Sequence, residues 1–352
     1  MPIFEILILL IFSLFLNILL KFLSSKLELS SLIRNESHHI HSNSIPRIGG
    51  IFFIISIFLL ILLNSFLLKN SLTINELNYF FLLFILIFFF LGFTDDFFLL
   101  NNKVKFITLF LLVLFSVLIF NFNVYGLFEF HDSISGHFFK ILFPTLCLFI
   151  LIVSFNLIDG MNGLLNFYSI LCLFNYLFIN LFYLDNLDPI LLIFAISLFT
   201  CILFNFPFAK LFMGDGAAYA LAFIIGYYAF YLHGRTINVV NEWYYACLLS
   251  YPIMELLISF IRRILNKDSI FKPDKFHFHT LIYQNIQLKF NLTNKVANPV
   301  TTAIILIILI IYNSISIYYL FNNQSYLKFI FFFFCVLYVF MSTLLMISKN
   351  DK

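Results

Sequence analysis

Eleven stretches of this chain, each about 20 residues long and almost uncharged, leave little choice of fold. They fall at roughly 3–23, 46–68, 78–94, 104–122, 139–157, 163–184, 189–206, 214–232, 242–261, 298–319 and 326–347. A run of that length spans the hydrocarbon core of a bilayer as a helix, the one open-chain structure that satisfies its own backbone polar groups in lipid. A soluble chain of 352 residues could not bury a composition that is 62% hydrophobic. The expected fold is therefore an all-α polytopic membrane protein of about eleven transmembrane helices. It forms one integral domain over 1–352, with one sizeable loop at about 262–297. The first stretch lacks a basic leader and a small-residue cleavage site, so it reads as a retained helix rather than a signal peptide. A net charge of +3 gives no reason to expect a nucleic-acid partner. The five Cys are scattered through apolar runs, without the spacing of a metal site or a disulfide framework.

Eleven crossings put the termini on opposite faces. With the C-terminus inside, Lys and Arg divide 16 to 4 in favour of the cytoplasmic side, so the positive-inside rule predicts N-out, C-in. Five polar stretches then fall at cytoplasmic span ends or loops: HSNSIPRIGG (41–50), GFTDDFF (92–98), NLIDGMNGLL (156–165), FMGDGAAYA (212–220) and PDKFHFHTL (273–281). Carboxylates entered none of the charge counting, yet aspartates gather on this face, Asp95, Asp96, Asp159 and Asp215 among them. At a span edge each has to be solvated, paired or functional.

Asp95 and Asp96 are adjacent, so a helix aims them about 100° apart, toward different partners. Lys103 and Lys105 follow closely enough to attract an anion. Asp215, between two glycines at a loop-to-helix junction, reads first as a helix N-cap and second as a metal ligand. Asn156, Asp159 and Asn162 recur every three residues, which groups them on one helical edge or first turn. Asn supplies a carbonyl oxygen to a metal or an amide to a base edge. His277 and His279 share a side of an extended backbone and, beside Arg262, Arg263, Lys272 and Lys275, read as donors to phosphate. The competing reading of that loop is a basic segment lying on anionic lipid headgroups. Arg47, in the Pro46 to Gly50 entry to the second span, faces either lipid phosphate or substrate.

In order and type, these stretches resemble the polyprenyl-phosphate N-acetylhexosamine-1-phosphate transferases of glycosyltransferase family 4. The resemblance runs from residue 41 to about 284 through PRIGG, GFTDD, NLIDGMNGL, FMGDG and PDKFHFH. It implies transfer of an N-acetyl-amino-sugar-1-phosphate from a UDP-sugar to undecaprenyl or another polyprenyl phosphate, with release of UMP. That step opens assembly of a cell-envelope polysaccharide such as O-antigen, at the inner membrane, with the active site on the cytoplasmic face. It also implies Mg²⁺, or Mn²⁺ in its place, and is compatible with a homodimer. By position, Asp95 and Asp96 match the aspartate pair that handles the lipid phosphate, and Lys103 and Lys105 the basic residues near it. Asn156 and Asp215 match Mg²⁺ ligands, Asp159 the same motif, Asn162 a uracil contact, and His277 and His279 the histidine loop near the sugar diphosphate.

Three departures qualify the match. Asn162 stands where bacterial members commonly have Asp and eukaryotic ones Asn. HFH is thinner than the histidine run of the phospho-MurNAc-pentapeptide translocases, the nearest competing activity. Ala217 and Ala218 replace a hydroxyl residue or glycine beside Asp215. From another class, an ion-coupled transporter would place carboxylates near mid-span and show internal repeats. No repeat is evident, and only Glu255 lies well inside a span, where Arg262 or Arg263 is its expected partner.

Overall fold

A computed structural model of the chain describes residues 3–26, 46–66, 76–98, 100–122, 134–237, 239–269, 274, 276–319 and 323–350. Every regular element among them is a helix: α1 (Ile3–Lys26), α2 (Gly49–Phe66), α3 (Glu76–Phe98), α4 (Asn102–Phe120), α5 (Ile134–Ile158), α6 (Leu164–Tyr183), α7 (Pro189–Asn205), α8 (Gly214–Arg235), α9 (Glu242–Leu265), α10 (Phe278–Phe290), α11 (Asn294–Tyr318) and α12 (Gln324–Asn350). Nine of these are long and apolar enough to cross a membrane, and α2 and α7 are apolar but shorter. Each of the eleven stretches read from sequence coincides with one of these eleven helices, and α10 is the addition. Its 13 residues end at Asn291, whose φ of 50° is the left-handed conformation that closes a helix.

The chain divides into two compact units, Met1–Lys105 with Leu165–Tyr228, and Phe106–Leu164 with Ala229–Lys352. In the first unit, α1, α2 and α7 pack on one another. Buried hydroxyls and amides tie them: Ser13 Oγ lies 2.7 Å from Thr200 Oγ1, Asn17 Nδ2 donates to Thr200 at 2.8 Å, and Ser56 donates to Asn17 at 3.3 Å. Such bonds matter in lipid, where apolar contact alone does not separate helix from solvent; each adds about 0.6 kcal/mol. Asp188 caps α7 through the Ile190 and Leu191 amides, with Pro189 at the first helical position. The opening of α8 is lined by Ala217, Ala218, Ala220 and Ala222, all fully buried, so neighbouring backbones come close to it.

In the second unit α9 is the hub, packing on α5, α11 and α12, while α10 packs on α11 and α12. Asn241 caps α9 through the Trp243 amide. The outer face of α12 carries exposed Phe329, Phe332, Phe333, Val336 and Phe340, a surface suited to lipid.

Candidate functional site

In the first unit, three helix ends meet around carboxylates. The segment before α2 pairs its backbone with the segment before α8: Phe212 donates to Pro46 at 3.0 Å, Gly49 to Phe212 at 2.9 Å and Gly50 to Met213 at 3.0 Å. PRIGG and FMGDG thus hold each other. The last turn of α3 packs against the same place. A Cβ added to Gly92 would fall 2.6 Å from the Gly216 nitrogen, so only glycine lets α3 approach the start of α8. Gly214 has a φ of +80°, and a Cβ there would also stand 2.7 Å from Asp96 Oδ2.

This packing brings Asp95, Asp96 and Asp215 onto two cations. Asp96, its side chain 2% exposed, accepts from Arg47 Nη1 at 3.2 Å and from the Asp215 amide at 2.9 Å. Asp95 accepts from the Leu100 amide at 2.9 Å and pairs with Lys105, whose Nζ also lies 3.3 Å from Asp215 Oδ2. The adjacent aspartates do face different partners, as their helical offset requires. Asp215 lies in the first turn of α8 rather than at its cap, and Asp96 supplies the cap from α3. Lys105 Nζ also sits 5.4 Å from the Tyr219 ring centre. Lys103 is exposed, and its backbone amide bonds to Asn101 at the start of α4. Of the two lysines, Lys105 is the one the fold brings to the aspartates.

The second unit holds the other two motifs. Asn156 is in the last turn of α5, Asp159 in the turn that follows, and both are half-buried. Asn162 is buried before α6 and fixed by its backbone: its amide donates to Asn298 Oδ1 at 2.8 Å, and its carbonyl accepts from Thr302 at 2.9 Å. The three residues therefore span a helix end, a turn and the next helix start rather than one continuous helical edge.

Glu255 is the largest departure from expectation. It does not pair with Arg262 or Arg263. It is buried, and it accepts from the Phe278 amide at 3.1 Å, from His279 Nδ1 at 3.1 Å and from the Tyr251 hydroxyl at 3.2 Å. His277 Nδ1 lies 3.4 Å from its second oxygen, at ion-pair distance but without hydrogen-bond alignment. The two imidazoles are stacked 5.4 Å apart and within 5° of parallel. A Cβ on Gly160 would stand 3.3 Å from His279 Nε2, which places the histidine motif beside the turn of NLIDG. Arg262 instead pairs with Asp274, which also accepts from Ser259 at 2.6 Å and from the Phe276 amide at 3.0 Å. Burial pushes the Asp274 carboxyl up, but Ser259, Arg262 and the Phe276 amide together hold it below the usual carboxylate range. Lys272, Lys275 and residues 41–45 lie outside the described residues.

Asp95, Asp96 and Asp215 offer hard oxygen donors, the class that Mg²⁺ takes. They do not form a closed cage, and among the described residues no group of three or more His, Cys, Asp or Glu side chains does. An open set fits Mg²⁺, which is commonly held by one or two carboxylates together with water and substrate phosphate. Chemically, the first unit can hold phosphate against Lys105 and a metal against its carboxylates, and the second presents two oriented imidazoles.

The family described as Glycosyl transferase family 4 matches over residues 78–233. The chain is similar to the undecaprenyl-phosphate alpha-N-acetylglucosaminyl 1-phosphate transferase of Thermotoga maritima, with 30% identity over 282 residues, 78% of this chain and 80% of that protein. It is 24% identical to a Bacillus subtilis protein named "Probable undecaprenyl-phosphate N-acetylglucosaminyl 1-phosphate transferase", over 72% of this chain and 70% of that one. It is also 32% identical to the phospho-N-acetylmuramoyl-pentapeptide-transferase of Petrotoga mobilis, over 63% of this chain and 72% of that one.

Proposed function

The chain belongs to glycosyl transferase family 4, and from that premise we propose that it transfers an N-acetyl-amino-sugar-1-phosphate from a UDP-sugar to a polyprenyl phosphate in the inner membrane. The observation that carries the reading is the convergence of Asp95, Asp96 and Asp215 on Lys105 and Arg47 where three helix ends meet.

An oxygen of the lipid phosphate attacks the β-phosphorus of the UDP-sugar. The bond from that phosphorus to the bridging oxygen breaks, UMP departs with the oxygen, and a sugar-diphospholipid stays in the membrane. Asp95 takes the proton of a singly ionised lipid phosphate, or orients the dianion, which attacks without further activation. Lys105 binds the incoming phosphate, and its contacts with Asp95 and Asp215 keep it in place beforehand. Arg47 holds Asp96, and Asp96 holds the start of α8, so the pair keeps Asp215 in register. His277 and His279, each protonated on both ring nitrogens when the diphosphate is bound, donate from Nε2 to the phosphate oxygens that gain charge as the bond breaks. Lys103, exposed at the start of α4, draws the anion in. Asp159 belongs to the same motif as Asn156, and Asn162 reads the uracil edge. Asp215 and Asn156 are the proposed Mg²⁺ ligands, and the bound ion supplies positive charge to the diphosphate and the departing UMP.

UDP-N-acetylglucosamine is the proposed donor. The greater coverage of the N-acetylglucosaminyl relative and the thin HFH motif favour it over the muramoyl-pentapeptide donor. The reaction lies on the cytoplasmic face, in an N-out, C-in topology. The test is a label-transfer assay. Purified chain, undecaprenyl phosphate and Mg²⁺ are mixed with labelled UDP-N-acetyl-sugars, including the UDP-MurNAc-pentapeptide, and labelled lipid and UMP are scored. Label from one sugar that disappears with EDTA is expected. Absence of transfer from every donor by folded protein would sink the reading.

A further inference from the structure

A carboxylate inside an apolar span is costly, so Glu255 needs a reason to be there. Capping α10 is not reason enough. The cap position of that helix is His277, whose own side chain makes no capping bond, and a Ser or Asp there would do the work locally. Glu255 reaches from α9 instead, and takes the Phe278 amide together with an imidazole nitrogen. An ionised carboxylate only accepts, so the His279 nitrogen facing it carries the proton. The ring therefore turns Nε2 away from Glu255, to the point 3.3 Å from where a Gly160 Cβ would stand. His277 presents its Nδ1 to the same carboxylate and stacks parallel on His279.

We infer that Glu255 is a positioning residue of the transferase: it locks the start of α10 and the orientation of both imidazoles, so that their Nε2 atoms are presented toward the substrate diphosphate. The inference rests on the phosphosugar-transferase reading of the chain. Tyr251 donates to the same carboxylate and helps fix it.

The test is a mutant cycle on the full-length protein in lipid nanodiscs, assayed with UDP-N-acetylglucosamine and undecaprenyl phosphate. Carboxylates that orient a metal-bound histidine are worth about 10- to 100-fold, and by analogy Glu255→Gln is expected to lower kcat by about that factor with KM for the lipid unchanged. Glu255→Asp, which keeps the charge, is expected to recover part of the rate. In a background that lacks both rings, His277→Ala with His279→Ala, Glu255→Gln should cost little more, because the residue acts through those rings. A further loss from Glu255→Gln in that background, or full activity of Glu255→Gln alone, would overturn the inference. If Glu255→Gln does not fold, Glu255→Asp enters the cycle in its place. The ¹⁵N spectrum of histidine-labelled protein reads the contact without turnover: His279 protonated at Nδ1 in the wild type, and mixed tautomers in Glu255→Gln. Mixed tautomers already in the wild type would also overturn it. A wild-type protein with the single tautomer but no transfer would count against the proposed function and leave the positioning contact standing.

Discussion

Lys105 joins two carboxylates that lie 120 residues apart in the chain, and that one cation decides what Asp95 and Asp215 can do. Removing one partner of a buried ion network costs about 3–5 kcal/mol, because the remaining charges stay desolvated. Lys105→Met is therefore expected to lose activity and lower the unfolding midpoint in detergent together. Asp215→Asn separates the two effects. It keeps the shape and leaves Lys105 paired with Asp95, so the chain should insert and melt nearly normally while kcat falls about 10²–10³-fold. Retained turnover in that variant would remove Asp215 from the chemistry. The sequence marks these residues well where their signal is local. GFTDDFF and FMGDG stand out because charge interrupts apolar runs, and adjacency alone gave Asp95 and Asp96 separate partners. It marks pairings poorly. Nothing near Glu255 in the chain says that its partners are His279 and the Phe278 amide rather than the two arginines a helical turn or two away, since that choice is made by how α9 and α10 pack.

Among the elements, the start of α8 depends on α3, and glycine is the condition of their contact. Gly92→Ala would press a methyl group into the Gly216 backbone, which has no flexible end to yield. Overpacking of this kind costs about 1–3 kcal/mol, and the displacement it forces should reduce turnover about 100-fold, because the aspartates sit on the elements that move. Melting and kcat measured on one preparation check both; a variant that is stable and fully active would show that the close approach is dispensable. The loop ahead of α10 is held differently. Asp274 is anchored to α9 by Ser259 and Arg262, and its carboxyl titrates below the ordinary value of about 4. A carboxylate with a depressed folded-state pKa stabilises above its unfolded value, and the contribution is lost as pH falls through the folded one. Protease nicking of this loop in Asp274→Asn should exceed that in the wild type near neutral pH. The two should converge only at pH below the ordinary carboxylate range, once pH has fallen through the lowered value of the folded state and the wild-type carboxyl also gains its proton. Helix positions were legible because a long apolar run is a local property. α10 was not, since it is short, mixed in composition and capped from another element.

For the whole molecule, hydrogen bonds at the helix ends constrain the number of crossings. Asp96, near the end of α3, accepts from the amide of Asp215 at the start of α8, so these two ends share a membrane face. The chain between them must then cross an even number of times. α4, α5 and α6 are each long enough to cross; if all three do, α7 is the fourth crossing, although it has only 17 residues. That length is at the lower limit for a spanning helix, about 25 Å of rise. The start of α2 also meets the start of α8 through Gly49 and Gly50, so α2 and α3 together make an even number, and if α3 crosses, α2 crosses as well. On the proposed topology both short helices span, the eleven crossings set the termini on opposite faces, and the 16 to 4 division of Lys and Arg predicts the C-terminus inside. The prediction is a protease-sensitive tag at the N-terminus and a protected one at the C-terminus in intact spheroplasts. Exposure of both tags, or of neither, would mean an even number of crossings; one of the two short helices would then not span. Exposure of the C-terminal tag alone would keep the parity and reverse the orientation, and the aspartate cluster would face away from any cytoplasmic nucleotide sugar.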